Sequence, residues 1–171
     1  VDQLGSAPGR IVNSVFARNV ARGSDGAALY LGSSGAVDIL HTTIASPTVG
    51  AGSAIYAPAG VVNITNTLIA SYTTGIEQSG GATVSAWNTL FHATAVQTAG
   101  NVANNNPKIG DPLFANQAAD IYRPAVGSAA INTGVDAGVL TDFDGTSRPQ
   151  LVLFDIGSFE YNPCSVTSIN D

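Results

Sequence analysis

The feature that most constrains the fold of this chain is an internal repeat. Four short segments resemble one another at spacings of 28, 25 and 22 residues, and they lie at 13–17, 41–45, 66–70 and 88–92. A second set of β-prone runs follows them, centred on residues 29, 55, 76 and 96, and a third set rich in Val and Ile precedes them. Gly, Ser or Pro bound these runs, so each repeat holds about three short strands separated by turns.

Repeats of this length with three strands each predict an all-β protein, a right-handed parallel β-helix of about four to five coils with an irregular C-terminal cap. In such a solenoid each strand pairs with its counterpart one coil away. No window of the sequence has the apolar spacing of an amphipathic helix over three turns. The repeat, rather than the composition, therefore sets the fold class.

The repeat alignment also predicts two ladders of stacked side chains. One is an inward apolar ladder formed by Phe16, Ile44, Ile69 and Phe91. The other lies at a turn and is formed by Asn13, His41, Asn66 and Asn88. Stacked asparagines at a turn can hydrogen-bond from coil to coil, so we interpret this second ladder as structural. A structural turn residue is also the interpretation for His41, while His92 is expected to point outward.

The chain divides into coils at 1–110, a C-terminal cap at 111–161 and a tail at 162–171. The repeats fade after Gly100, and 101–107 has the composition of a turn-rich linker. We expect the cap to lie over the C-terminal end of the solenoid. Two long loops, 17–27 and 45–53, are expected to bulge from one side, where such folds usually carry function.

Five motifs follow one another in the last third of the chain: DPLF at 111–114, DIYRP at 120–124, GSAAINTG at 127–134, DFDGTSRP at 142–149 and DIGSFEY at 155–161. In this order, over about residues 100–161, the sequence resembles the C-terminal part of bacterial right-handed parallel β-helix surface proteins of the choice-of-anchor type. It departs from the family pattern at Ala129 and Asn132, where the family tends to have Pro and Asp. The resemblance implies an extracellular or cell-surface location and no enzymatic activity.

The charge and the cysteine content limit the classes of partner and the location that we expect for this protein. The net charge is −6, and the six basic residues are scattered: Arg10, Arg18, Arg22, Lys108, Arg123 and Arg148. Nucleic acid and anionic membranes need clustered cations, so we expect neither as a partner. No apolar run is long enough for membrane insertion as a helix. The one cysteine, Cys164, allows no internal disulfide, and a near-absence of thiols suits an exported protein.

One acidic turn is the only metal candidate. Asp142 and Asp144 belong to an Asp-x-Asp-Gly sequence that starts like a calcium loop but lacks the later ligands and the closing Glu. The alternative is that these side chains bond their own turn amides, and that Arg123 or Arg148 pairs with Asp142, Asp144 or Asp155. We therefore predict no cofactor, with calcium at Asp142 and Asp144 as the open alternative.

We predict no catalytic residues. The only acids within the repeats are Asp25, Asp38 and Glu77, and they fall in different registers, so they form no carboxylate pair for a hydrolase. The best cluster is Asp25 with Arg18 and Arg22 in the first long loop, which we interpret as a solvated ion pair. No nucleophile, zinc or nucleotide motif occurs.

The ends of the solenoid favour self-assembly. No amphipathic helix precedes the first coil, and an uncovered end is a template for added strands. Either upstream coils of a longer chain or another copy would pair with this end. We therefore predict a non-catalytic extracellular structural protein whose copies join head to tail into a filament. The predicted assembly residues are Val1, Leu4 and Ile11 at the open end, with Val166 and Ile169 in the tail.

A module of another class remains the alternative. A surface protein that binds or degrades glycans would present aromatic platforms, and Tyr30 and Tyr56 share one register while Trp87 lies elsewhere. Two stacked tyrosines are more typical of a structural ladder. An adhesin that displays the two long loops is the third possibility.

Overall fold

Stacked parallel strands form the body of the molecule in a computed structural model of the chain, which describes residues 2–3, 5–20 and 26–163. The fold is all-β and 2% helical, a solenoid of about four turns, which confirms the predicted parallel β-helix. The strands are β1 (Asp2–Gln3), β2 (Gly9–Val12), β3 (Val15–Ala17), β4 (Leu29–Leu31), β5 (Ala36–Leu40), β6 (Thr43–Ala57), β7 (Val61–Thr65), β8 (Leu68–Gln78), β9 (Thr83–Trp87), β10 (Leu90–His92), β11 (Val96–Ala99), β12 (Val102–Asn105), β13 (Lys108–Ile109), β14 (Phe114–Asn116) and β15 (Ile121–Pro124). A single-turn 3-10 helix spans Gln117–Ala119, and no helix among the described residues is long and apolar enough to cross a membrane.

The coils have three faces. Face 1 is a five-stranded parallel sheet of β2, β5, β7, β9 and β12. Face 2 contains β3, the first parts of β6 and β8, β10 and β13, and face 3 contains β1, β4, the second parts of β6 and β8, and β11. Faces 2 and 3 belong to one sheet because β6 and β8 run through both.

The predicted apolar ladder is confirmed on face 2. Phe16 lies opposite Ile44, Ile44 opposite Ile69, and Ile69 opposite Phe91. All four pack in the main core, where Ile44, Ile69 and Phe91 are fully buried. The β-branched and aromatic side chains of this ladder suit a pleated, buried surface.

The predicted turn ladder is the corner between face 1 and face 2. Its residues all have a left-handed backbone with φ between +46° and +51°: Asn13, His41, Asn66, Asn88 and Asn106. Asn tolerates this conformation better than most residues, which explains its recurrence. Each of the first four backbone N–H groups donates to the carbonyl that precedes the corner residue of the next coil. We call this row the Asn corner.

The coils shorten along the chain, and face 1 has a fifth strand after the four sequence repeats. Successive inward residues of face 1 are 28, 25, 22 and 18 residues apart. The segment 101–107, predicted to be a linker, instead contains β12, which pairs with β9 along its whole length. Its many Asn residues suit turns by composition, but Asn106 occupies the fifth position of the Asn corner.

Two further expectations about the coils are wrong. Residues 45–53 form no continuous loop, because Ala45, Gly50 and Ser53 pair with β8; the residues between these three positions bulge out at two register shifts. The alignment of Val96 with Ile76 is also displaced, because Val96 pairs with Thr74 and Thr98 lies opposite Ile76. The apolar match was misleading here, since Val96 is 43% exposed.

The C-terminal segment (residues 111–163) packs on the side of the solenoid rather than over its C-terminal end. It covers the outer side of face 2, where Leu68, Ala70 and Leu90 meet Ile156 and Phe159 in a second apolar cluster. Face 2 is therefore buried on both sides, and Leu68–Ala70 show no alternation of burial. The prediction of an end cap is wrong because the segment runs back along the Asn corner as far as the first coil.

Candidate functional site

The N-terminal end of the solenoid is an open strand edge among the described residues. Here β1, β2 and β3 each pair with the following coil only. Ile11, a predicted assembly residue, lies in β2 opposite Ile39, and it is half-buried against the core. The other predicted assembly residues lie outside the described residues: Val1, Leu4, Val166 and Ile169.

The C-terminal end is a second open edge within the described part of the chain, where β11, β12 and β13 each pair with the preceding coil only. Ile109 lies opposite Phe91 and is the fifth member of the inward apolar ladder. It is nevertheless 76% exposed, because among the described residues no strand pairs with the other side of β13. Ile109 is therefore a large apolar side chain that is exposed at a ladder position.

Asn104 gives this end a polar element. It lies in β12 opposite Ala86, in the inward column that contains Ile39 and Ile64. Its side-chain oxygen is buried and has no hydrogen-bond partner among the described residues. A buried carbonyl oxygen without a partner lowers stability, so Asn104 is a polar weak point of the last coil.

The C-terminal segment hydrogen-bonds to the Asn corner and so leaves both ends uncovered. The Asn66 side chain donates to the carbonyl of Val135 at 2.6 Å and accepts from the amide of the same residue at 3.0 Å. The side chains of Asn13 and Asn88 donate to the carbonyls of Thr141 and Thr133. Contacts from coil to coil also occur, as predicted, since Asn66 donates to His41 Nε2 at 2.9 Å and Asn106 donates to Asn88 at 2.6 Å.

A buried ion pair holds the C-terminal segment. Arg148 donates to Glu160 at 2.6 Å, and these side chains are 0% and 1% exposed. Arg148 also donates to the side chain of Asn13 at 3.3 Å, which links the segment to the first coil. The expected aspartate partner of Arg148 is wrong, because the residue that pairs with it is Glu160.

Ionisable groups buried beside this pair have shifted pKa values. Burial, with a smaller contribution from the charge of Arg148, lowers the pKa of His41 to about 3. Burial raises the pKa of Asp155 to about 6, although its carboxylate accepts hydrogen bonds from the amides of Asn132 and Tyr161. His41 is therefore a neutral turn residue, consistent with its structural interpretation.

The calcium candidates have protein partners in this structure. Asp142 is buried, and its carboxylate accepts from the amides of Asp144, Thr146 and Glu160. Asp144 pairs with Arg123. These contacts match the alternative in which the acidic turn bonds its own amides and a nearby arginine. Calcium binding there stays a prediction.

The acids of the coils do not converge. Asp38 lies on face 1 and accepts from Asn63 at 2.9 Å, whereas Glu77 lies on face 3 opposite Tyr56. Arg18 pairs with Asp120 of the C-terminal segment at 2.6 Å. Its proposed loop partners, Asp25 and Arg22, lie outside the described residues.

The aromatic residues separate into two groups. Tyr30 and Tyr56 pack at 5.4 Å between ring centroids on face 3, and the Tyr56 hydroxyl accepts from Ser79. This contact is the structural ladder that their shared register predicts. Trp87 lies instead at the edge of face 1 and is 47% exposed. The outer side of face 1 also presents polar side chains, among them Asn63 and Asp38.

Comparisons with protein-family models, with curated proteins and with solved structures find no match to this chain. The resemblance of residues 100–161 to choice-of-anchor surface proteins therefore stays an expectation from the motifs. The fold class is what the structure establishes.

Proposed function

We propose that this chain is a non-catalytic structural subunit of an extracellular or cell-surface assembly, whose copies join head to tail into a filament. The observation that carries the proposal is Ile109, a member of the inward apolar ladder that is 76% exposed at the C-terminal end. A second copy that places its first coil there would bury this side chain and satisfy two open strand edges. A contact of this kind is heterologous, so it continues into a filament unless the rotation closes it.

The course of the C-terminal segment supports a role for the tail. Glu160 bonds Asp142, and Arg148 bonds Asn13, so the chain approaches residue 162 beside the first coils. In a head-to-tail stack, the C-terminal end of the neighbouring copy meets this same end of the molecule. Ten extended residues span at most about 35 Å. The tail at 162–171 is therefore long enough to reach a neighbouring strand edge.

The extracellular location is a proposal from the sequence. It is supported by the motif order over residues 100–161 and by the single cysteine. Expression with a secretion signal, followed by fractionation of intact cells, would test it.

Electron microscopy and analytical ultracentrifugation of the purified chain test the assembly. We expect filaments or a ladder of oligomers that grows with concentration. The Ile109→Asp variant should be monomeric, because it places a charge in the contact. Val126→Asp is the matched control, since Val126 is 75% exposed but belongs to the C-terminal segment, and it should assemble normally.

A wild-type chain that stays monomeric at every concentration would overturn the proposal. Equal loss of assembly in both aspartate variants would show that the contact lies elsewhere. Deletion of 162–171 separates the contribution of the tail from that of Ile109.

Glycan binding on face 1 is the second candidate, and the exposure of Trp87 favours it. An exposed indole can stack on a sugar ring. Trp87 is the only tryptophan, so its fluorescence reports binding directly. Titration with neutral and acidic oligosaccharides should quench or shift this emission. Unchanged emission across that panel would remove the candidate.

A further inference from the structure

We infer that the copies join in one register, in which the Asn corner of one copy continues into the next. Asn106 of one copy then stacks on Asn13 of the next, Ala103 lies opposite Arg10, and Ile109 lies opposite Phe16. This inference rests on the proposed head-to-tail assembly and specifies the contact between a second copy and the two open edges.

The backbone of the Asn corner is the first step of the argument. The N–H groups of His41, Asn66 and Asn88 donate to the carbonyls of Thr65, Trp87 and Asn105. Each acceptor is the residue immediately before the corner residue of the next coil. Continued across the junction, this pattern directs the N–H of Asn106 to the carbonyl of Val12 in the next copy.

The return hydrogen bonds on face 2 follow an equally regular pattern. The amides of Leu68, Leu90 and Lys108 donate to the carbonyls of Thr42, Thr67 and Thr89 in the preceding coil. Continued in the same way, the amide of Val15 in the next copy donates to the carbonyl of Pro107. The two patterns fix the same register independently.

The side chains select this register against its neighbours. A shift by one residue turns every inward side chain outward, so it is excluded wherever one face is buried. A shift by two residues moves Ile109 from Phe16 to Ser14 or Arg18. Of the three registers that keep Ile109 inward, only the inferred one places it on an apolar residue, Phe16, which packs against the core of its own copy.

The same register places Asn104 opposite Ile11 of the next copy. An amide between apolar residues weakens the junction relative to the internal coils. The Asn104→Val variant should therefore assemble at a several-fold lower concentration than the wild-type chain. Ala103→Val, one residue away on the outer side, should leave that concentration unchanged.

Engineered cysteines test the register directly in a Cys164→Ser background. Neighbours in register are about 4.8 Å apart, whereas a shift by two residues separates them by about 8 Å, beyond the reach of a disulfide. Arg10→Cys with Ala103→Cys is the in-register pair, and Val12→Cys with Ala103→Cys is the shifted pair. Asp38→Cys with Asn63→Cys, which are neighbours within one chain, is the positive control for oxidation.

We expect a covalent ladder of multimers on a non-reducing gel from the in-register pair and none from the shifted pair. Multimers from the shifted pair, alone or equally, would overturn the register while end-to-end assembly stands. A Cys164→Ser parent that remains monomeric in the ultracentrifuge would overturn the assembly itself, and the register with it. The two failures are therefore distinguishable.

Discussion

The coils and the C-terminal segment are stabilised in different ways. The coils repeat one contact many times, with parallel ladders on three faces and a continuous apolar core. The described C-terminal segment has a single two-stranded sheet, β14 with β15. It depends on side chains instead, above all on the buried pair of Arg148 and Glu160 and on the amides of the Asn corner. Loss of one contact in the coils should therefore affect only its surroundings. Loss of one contact in the C-terminal segment should release the whole segment.

The largest effect is expected from Arg148→Met. Removal of the guanidinium leaves the Glu160 carboxylate buried without its partner, which costs about 3–5 kcal/mol. We expect the C-terminal segment to detach while the coils remain folded. Hydrogen exchange should show rapid exchange at 130–161 and persistent protection of β6 to β9.

Arg123→Met is the matched control for this variant. It removes an ion pair with Asp144 in the same segment, but these side chains are 50% and 28% exposed. The cost should be about 1 kcal/mol, because solvent screens the pair. Equal exchange in both variants would contradict the special role of the buried pair.

The next effect is expected from Ile69→Ala in the centre of the apolar ladder. The side chain is fully buried, so its truncation should lower the free energy of unfolding by about 3 kcal/mol. Urea unfolding followed by the fluorescence of Trp87 would measure this loss. Val61→Ala on the outer side of face 1 should change stability by only about 0.5 kcal/mol. If Ile69→Ala releases only the C-terminal segment and leaves the coils as stable as before, the proposed difference between the two regions is wrong.

Acid should act on the two regions with opposite signs. His41 of the coils has its pKa lowered to about 3, so its stabilising contribution is present above pH 6.5 and is lost as pH falls. Asp155 of the C-terminal segment has its pKa raised to about 6. Its contribution is present below pH 3.8 and is lost as pH rises through 6.

Two variants separate these contributions. His41→Asn supplies the residue found at the other corner positions. Between pH 7 and pH 5 the free energy of unfolding should fall by about 2 kcal/mol less in this variant than in the wild-type chain. Asp155→Asn should instead make the free energy of unfolding fall more between pH 7 and pH 5 than in the wild-type chain, because the stabilisation from protonated Asp155 is gone. Urea midpoints at four pH values would measure both. Parallel curves for the wild-type chain and His41→Asn would show that His41 does not titrate with folding.

The smallest effect compares two buried tyrosines. The Tyr72 hydroxyl in the coils is buried and has no hydrogen-bond partner among the described residues, whereas Tyr122 donates to Asp120 at 3.0 Å. Tyr122→Phe should cost about 1 kcal/mol, and Tyr72→Phe should be neutral or slightly stabilising. Thermal unfolding of both variants checks the difference. A larger loss for Tyr72→Phe would indicate an unobserved partner of its hydroxyl.

The periodic part of the molecule was predictable, because each coil repeats the chemistry of the one before. The inward ladder from Phe16 to Phe91 follows from four matching segments. The same reasoning failed where composition and periodicity disagreed. Val96 was aligned by its apolar character, although the inward position belongs to Thr98. The composition around Asn106 predicts a linker, although the left-handed backbone of Asn106 continues the Asn corner.

The C-terminal segment was less predictable, because its position depends on contacts distant in sequence. The Asn66 side chain makes two hydrogen bonds to the backbone of Val135, which lies 69 residues away in sequence. No local sequence pattern predicts this contact. The bonding of the Asp142 turn to its own amides was predictable, since these residues are close in sequence. The pair of Arg123 with Asp144 was one of several pairings that the sequence left open. The partner of Arg148 was not predictable from the sequence, because several acidic residues of the same segment are possible partners for a buried arginine.

The path of the C-terminal segment along the Asn corner has a consequence for how the solenoid melts. Repeat arrays behave as one-dimensional chains, in which a terminal unit can fray while its neighbours persist. Here one segment bonds Asn13, Asn66 and Asn88, so it ties the first coil to the fourth. Peeling of any coil must also strip the segment from the others. Heat should therefore unfold the coils in one cooperative transition, and release of the segment should split that transition into several.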